Sequence, residues 1–221
     1  MRKVVLLSFD DGVIWDRWFA EMLNHYGIPC TFNLNSGLED FVWQCGDLPV
    51  RRLSRAEWPA VYQGHEAASH TLTHPPLTEL SEAELLYQVG EDCKNLRETL
   101  GMEELGFAVP FTRCGEREIG ILRRSGLVKY IRLSEEREGF APPEDPFHIS
   151  VTALFNETGI WEKIEAFEGS ELPLSVFVLC GHSYEFEANG EWEHMERVLG
   201  RLMDVPGVEF MTTMEFVKTF Y

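Results

Sequence analysis

Short apolar runs alternate with helix-spaced segments along the whole of this 221-residue chain, and few architectures accommodate that pattern. Lys3–Phe9, Pro29–Leu34, His65–Ser69, Leu105–Val109, Val128–Leu133, Ile149–Phe155, Leu174–Cys180 and Val208–Met211 read as strands. Several are apolar almost throughout, as strands covered on both faces are. Ile14–Tyr26, Ser54–Tyr62, Glu116–Ser125, Ile160–Phe167, Glu191–Met203 and Met214–Phe220 read as helices between them. The clearest helix begins at Ser81, where Ser81 and Glu84 form a capping-box pair. Leu85, Leu86, Val89, Cys93, Leu96 and Leu100 then share one face, and Gly101 ends it. The polar, proline-containing stretch Glu135–Pro146 reads as a loop. This alternation predicts an α/β fold with a parallel sheet covered by helices. A small α/β barrel is the first expectation and an open doubly wound sheet the alternative.

The length suits one sizeable core, so residues 1–221 are read as a single domain. There are 19 Lys+Arg against 37 Asp+Glu, for a formal net charge of −18. So acidic a surface repels phosphate backbones and anionic lipids, which argues against a nucleic-acid or membrane partner. The opening MRKVVLLSFD has too short an apolar run for a signal-peptide core, and no stretch approaches a membrane span. Five cysteines without CxxC spacing fit reduced thiols, and the expectation is a cytoplasmic protein.

The residues with chemical character fall just after predicted strands. Asp10-Asp11-Gly12 follows Val4–Phe9, His70 and His74 follow His65–Ser69, Arg132 lies near the end of Val128–Leu133, and His182 follows Leu174–Cys180. In α/β barrels the strand ends converge on one mouth, so residues distant in sequence meet there. Two adjacent carboxylates repel, which favours one as a cation ligand and the other as a base. The competing reading of Asp10-Asp11-Gly12 is a simple strand-ending turn. His70 and His74 are four residues apart, and the prolines at 75 and 76 favour a tight loop or single turn over a full helix. Two imidazoles with one carboxylate make a catalytic ligand set that leaves positions for water and substrate. His182 is placed to act as a general acid. Cys114 and Cys180 lie near the same mouth, but buried inert cysteine is the usual case.

Ser8-Phe9-Asp10-Asp11-Gly12 and His70-Thr71-Leu72-Thr73-His74-Pro75 resemble the first two motifs of the polysaccharide deacetylases, carbohydrate esterase family 4. Leu179–His182 resembles the late strand of that family that ends in its catalytic His. The resemblance implies a distorted (β/α)7-type barrel and a hydrolase that removes an N-acetyl or O-acetyl group from a carbohydrate. It implies Asp10 as base, with Asp11, His70 and His74 holding one divalent metal ion. Zinc is the first expectation, and Co, Ni, Fe or Mn suit the same donors. The partner expected is an acetylated sugar or small glycan; the oligomeric state is left open.

The chain departs from the family in its third motif. Ala108 stands where an Arg normally holds the base, and Phe111 stands where a Tyr is usual. Arg132 or Arg113 is the expected substitute for the missing charge, and the Phe111 N–H the expected oxyanion donor. The fourth motif is not recognisable, with Asp145 as the nearest candidate for its acid. Tyr184, with Trp15, Trp18 and Trp43, is a candidate for stacking on a sugar ring. Two other functions are carried forward: an amidohydrolase acting on a cyclic imide or ureide, and a catalytically silent sugar-binding protein.

Overall fold

A computed structural model describes residues 1–112 and 114–221. The expectation for Arg113 therefore falls outside the described residues. The elements run β1 Arg2–Asp10, α1 Asp16–Tyr26, β2 Thr31–Leu34, β3 Val42–Cys45, β4 Leu48–Arg51, α2 Trp58–Val61 and β5 Glu66–Ser69. They continue with α3 Glu82–Leu100, β6 Phe107–Ala108, α4 Glu116–Ser125, β7 Ile131–Glu136, β8 Ile149–Val151, β9 Ala153–Leu154 and α5 Ile160–Glu168. The chain ends with β10 Leu174–Gly181, α6 Ser183–Asn189, α7 Trp192–Met203, β11 Val208–Met211 and α8 Thr213–Phe220.

The main sheet is parallel, in the order β8-β7-β6-β5-β2-β1-β10-β9. Its two outermost strands are consecutive pieces of one stretch, separated by Thr152 alone. That stretch pairs with β7 through its first half and with β10 through its second, so the chain itself bridges the ends of the sheet. Counting β8 and β9 as one stave, seven strands surround a common interior. This is the distorted (β/α)7-type barrel expected, and the distortion lies at Thr152. There Thr152 N–H donates to the Val178 carbonyl at 2.9 Å, and Val178 N–H donates to Thr152 Oγ1 at 3.0 Å. Strand β1 shares one of its edges between two partners: β11 pairs with Lys3–Leu6 and β2 with Ser8–Asp10.

Side chains alternate across β1 as a strand requires. Val5, Leu7 and Phe9 pack outward against the helices, with Phe19, Leu23 and Phe186. Val4 and Leu6 pack inward with Ala68, Tyr130, Val176 and Val178, and Phe216 of α8 joins that inner cluster. The N-terminus of α8 is tied there by buried polar contacts. Glu66 Oε2 accepts from the Met214 N–H at 2.9 Å and from the Thr31 hydroxyl at 2.8 Å, while the Tyr130 hydroxyl donates to Glu66 Oε1 at 2.8 Å. Helix α3 carries the full capping box at Ser81 and Glu84, a feature worth about 1 kcal/mol.

Two elements differ from the expectation. Val42–Cys45 and Leu48–Arg51 pair as an antiparallel hairpin outside the main sheet. A short helix, α6, follows His182 directly. Among the described residues no helix is long and apolar enough to cross a membrane.

Candidate active site

The inward face of β1 continues from Val4 and Leu6 to Ser8 and Asp10, so Asp10 emerges at the C-terminal end of the barrel. Asp11 then turns the chain with φ 88°, and Gly12 follows at φ 66°. This double left-handed turn swings the second carboxylate back toward the same mouth, instead of to the opposite face of an extended strand. His70 follows β5, and Thr71 and His74 also take positive φ, at 69° and 57°. Four of the five described non-glycine residues with positive φ are Asp11, Thr71, His74 and Phe111, all at this mouth. Strain of this kind persists only where surrounding contacts over-determine it.

A cleft of about 350 Å³ brings together Asp10, Asp11, His70, His74, Phe111, Arg132, His182 and Tyr184. His74 Nε2 lies 3.6 Å from Asp11 Oδ1, and His70 Nε2 lies 4.0 Å from Asp10 Oδ2. His182 Nε2 approaches Asp11 Oδ2 to 3.9 Å. Phe111 stands half-exposed at the rim with φ 56°, its ring edge-on to His74 at 4.5 Å. Tyr184 tilts over the His182 ring at 5.1 Å and meets Trp43 edge-on at 5.5 Å. Trp15 and Trp18 line a separate hollow with Trp192.

Each acidic residue has its own arginine. The guanidinium of Arg132, buried at 2% exposure, donates to Asp10 Oδ1 through Nη2, to Ser8 Oγ at 3.2 Å and to Ser134 Oγ at 3.1 Å. Asn33 Nδ2 adds a second donor to Asp10 Oδ1 at 2.7 Å. Arg132 is the register partner of Ala108 across β6 and β7, so this charge enters one strand away from the position where the family's Arg stands. Arg52, just after β4, donates to Asp11 Oδ1 at 2.9 Å and also to the Asp11 carbonyl. The sequence reading did not single out Arg52.

Burial works against charge on both carboxyls, yet the neighbouring cations outweigh it. Asp10 is held below its ordinary pKa chiefly by Arg132. Asp11 is held well below the usual carboxylate range chiefly by Arg52, with His182 next. The two imidazoles move the other way. Burial pushes His70 down to about 4 and lowers His74, so both rings are neutral at pH 7. His70 Nδ1 lies 2.9 Å from the Ala108 carbonyl, which selects the tautomer that donates there and leaves the Nε2 lone pair facing the cleft. For His182, burial favours the neutral ring, but Glu185, Asp11 and Asp10 overcome it and raise the ring to about 9. Glu185 Oε2 sits 3.3 Å from His182 Nδ1. It occupies the supporting place for which Asp145 was the candidate; Asp145 instead pairs with Arg123 and His148. Burial raises Cys114 and Cys180 to about 12, which removes both as thiolate nucleophiles at neutral pH.

Asp11, His70 and His74 each offer a ligand atom, and these atoms lie within 4.8 Å of one another. Donors about 2.0 Å from a tetrahedral ion stand roughly 3.3 Å apart. The 3.6 Å between His74 and Asp11 is near that value. One anionic oxygen and two neutral imidazole nitrogens suit a divalent transition metal.

A family model described as polysaccharide deacetylase matches residues 1–129. Chitin deacetylase 1 of Cryptococcus neoformans is 32% identical over 83 residues, a match that spans 37% of this chain and 18% of that protein. The solved chitin deacetylase of Colletotrichum lindemuthianum superposes with a TM-score of 0.65 at 18% identity, covering 96% of this chain and 86% of that one. A family 4 acetyl xylan esterase from Clostridium thermocellum, solved with a cobalt ion, superposes with a TM-score of 0.64 at 14% identity, covering 98% and 91%.

Proposed function

The chain belongs to the polysaccharide deacetylase family, and from that premise we propose that it is a metal-dependent hydrolase removing an acetyl group, foremost an N-acetyl group, from a carbohydrate. The observation that carries this reading is the convergence of three ligand atoms, from Asp11, His70 and His74, in the cleft that also holds Asp10 and His182. The cleft volume suits a ligand the size of a sugar unit.

Asp11, His70 and His74 would hold the ion. A divalent cation supplies, when bound, a Lewis acid for the acyl oxygen and a water of lowered pKa. Asp10 is anionic at neutral pH and fixed by Arg132 and Asn33, so it serves as the acceptor for the proton of the attacking water. His182, kept protonated through neutral pH by Glu185 and the two aspartates, donates a proton to the leaving nitrogen. An amide expels its amine poorly until that nitrogen is protonated, which is why the acid matters. The Phe111 N–H at the rim is the proposed donor to the developing oxyanion. Tyr184 and Trp43 offer aromatic faces on the side of His182 for the sugar ring.

The cyclic imide or ureide alternative drew its strength from the charge missing at Ala108, and Arg132 places a guanidinium on Asp10. A silent sugar-binding protein leaves the paired arginines and the selected His70 tautomer without a purpose. The test is elemental analysis of the purified protein together with acetate release from a panel of N- and O-acetylated sugars, before and after chelation. We expect about one transition-metal ion per chain and acetate release that chelation abolishes and added metal restores. Release unaffected by chelation, or turnover of cyclic imides alone, would overturn the proposal.

A further inference from the structure

Arg52 is buried at 6% exposure, in a place where a charge is costly unless its surroundings are built for it. Nε lacks a hydrogen-bond partner, but both terminal nitrogens are held. Nη2 donates to Asp11 Oδ1 at 2.9 Å, and Nη1 donates to the Asp11 carbonyl and to Asn35 Oδ1. The guanidinium carbon lies over the Trp43 ring, 5.0 Å from its centroid. Asn35 passes the connection on: its amide donates to the His70 carbonyl and, at 2.8 Å, to the Thr71 carbonyl. Arg52 and Asn35 thus join, in series, the turn that carries Asp11 to the loop that carries His70 and His74.

Both segments hold residues in strained backbone, at Asp11, Thr71 and His74, and both need an outside brace to keep that form. The β3–β4 hairpin is tied to the Asp11 turn as well. Ile14 N–H donates to the Arg51 carbonyl at 3.0 Å, Leu53 N–H donates to the Gly12 carbonyl at 2.8 Å, and Val13 bridges to Arg52. The hairpin adds nothing to the main sheet; what it delivers to the mouth is Arg52 with Trp43 behind it.

We propose that Arg52 is a positioning residue that holds the two ligand-bearing segments at the spacing a divalent cation requires. The inference rests on the metal reading of Asp11, His70 and His74, and is independent of the substrate. An arginine beside a ligand carboxylate has a second effect of opposite sign, since its charge repels the cation. Arg52→Lys separates the two. Lysine keeps the charge but lacks the planar fork that reaches Asp11 and Asn35 together. Asn35→Ala cuts the link to His70 without altering any charge, and it carries the test independently if Arg52→Lys fails to fold.

The experiment measures zinc and cobalt affinity by competition with a chelator at fixed pH, with the visible spectrum of the cobalt-loaded protein and far-ultraviolet circular dichroism to monitor the fold. We expect Arg52→Lys and Asn35→Ala each to bind metal about 10- to 100-fold more weakly, with an altered cobalt spectrum and an unaltered fold. Because the two residues act in series, the double variant should be little weaker than either single one. Affinity and spectrum unchanged in both variants, or tighter binding in Arg52→Lys, would overturn the inference while leaving the metal site standing. Absence of metal binding by the unaltered protein would sink the metal reading itself, and this inference with it.

Discussion

Arg132 stands opposite Ala108 in the pairing of β6 with β7, and its guanidinium grips the Asp10 carboxylate. The small alanine and the long arginine are two halves of one arrangement: the charge that steadies the Asp10 carboxylate comes from the neighbouring strand at the same level of the barrel. Arg132→Met leaves a buried carboxylate whose remaining hydrogen-bond donor is Asn33. Breaking such a pair should cost about 3–5 kcal/mol of stability at neutral pH and lower kcat by about 10²-fold or more. Returning an arginine by Ala108→Arg in an Arg132→Ala background should recover part of both. Urea unfolding and steady-state kinetics check this, and a fully active Arg132→Met would show that Asp10 needs no such anchor.

Asp10 and Asp11 are adjacent, and the proposed mechanism gives them different work. Asp10→Asn should retain metal, because Asp11, His70 and His74 are untouched, and should lose about 10²–10⁴-fold in kcat. Asp11→Asn should lose both metal and turnover, since its anionic oxygen is the only charged donor of the three. Metal content measured beside acetate release distinguishes the two. Equal metal loss in both variants would contradict the division of labour.

The positions of Asp10, Asp11, His70, His74 and His182 were legible because strand ends punctuate the sequence, and a parallel barrel gathers strand ends at one mouth. The interaction of Arg132 with Asp10 was proposed from the gap at Ala108, though sequence cannot supply the β6–β7 register that makes it work. Arg52 was missed because it lies after a hairpin whose strands are only partly buried and include Pro49, so neither shows a buried apolar run. A signal was present in Gly46-Asp47, a two-residue hairpin turn between Cys45 and Leu48. Glu185 was passed over as well. The helix α6 that begins after His182 was not expected, and only the orientation of His182 at its start makes Glu185 a partner.

In the proposed mechanism His182, with Glu185 behind it, sets the alkaline side of the activity profile. Burial alone would lower the His182 pKa, and the raised value of about 9 comes from Glu185 first, then Asp11 and Asp10. A cation on Asp11 offsets part of that rise, so in the metal-loaded protein the proton is lost at or below that value and kcat/KM should fall on the alkaline side. Glu185→Gln removes the leading cause of the rise. Its alkaline limb should therefore move to lower pH, with turnover close to that of the unaltered protein on the acid side of the limb. A profile that does not move would mean that His182 is not the group reported by that limb.

Asp16 tests the network beneath the His182 loop, away from any ligand atom. It is fully buried, and its carboxyl accepts from Ser183 Oγ, from Tyr62 at 2.8 Å and from the Val13 N–H at 3.1 Å. Burial, aided slightly by the nearby Asp11 charge, raises it to about 7 despite those three donors. The folded protein therefore keeps a proton that the unfolded chain, with a carboxyl near 3.8, gives up. In such a case the unfolded state binds fewer protons between the two values. Stability is then lost as pH rises from about 4 to about 7 and changes no further above that, by at most about 4 kcal/mol for this one group. Asn fits the same space: its oxygen keeps the Tyr62 and Val13 donors, and its Nδ2 faces Ser183 Oγ, which rotates to accept. Asp16→Asn should therefore be less sensitive to pH, gaining on the unaltered protein as pH climbs from 4.5 to 7.5. Urea unfolding of the chelated protein across that range makes the comparison with metal out of account, and parallel pH dependences for the two proteins would show that Asp16 does not titrate there.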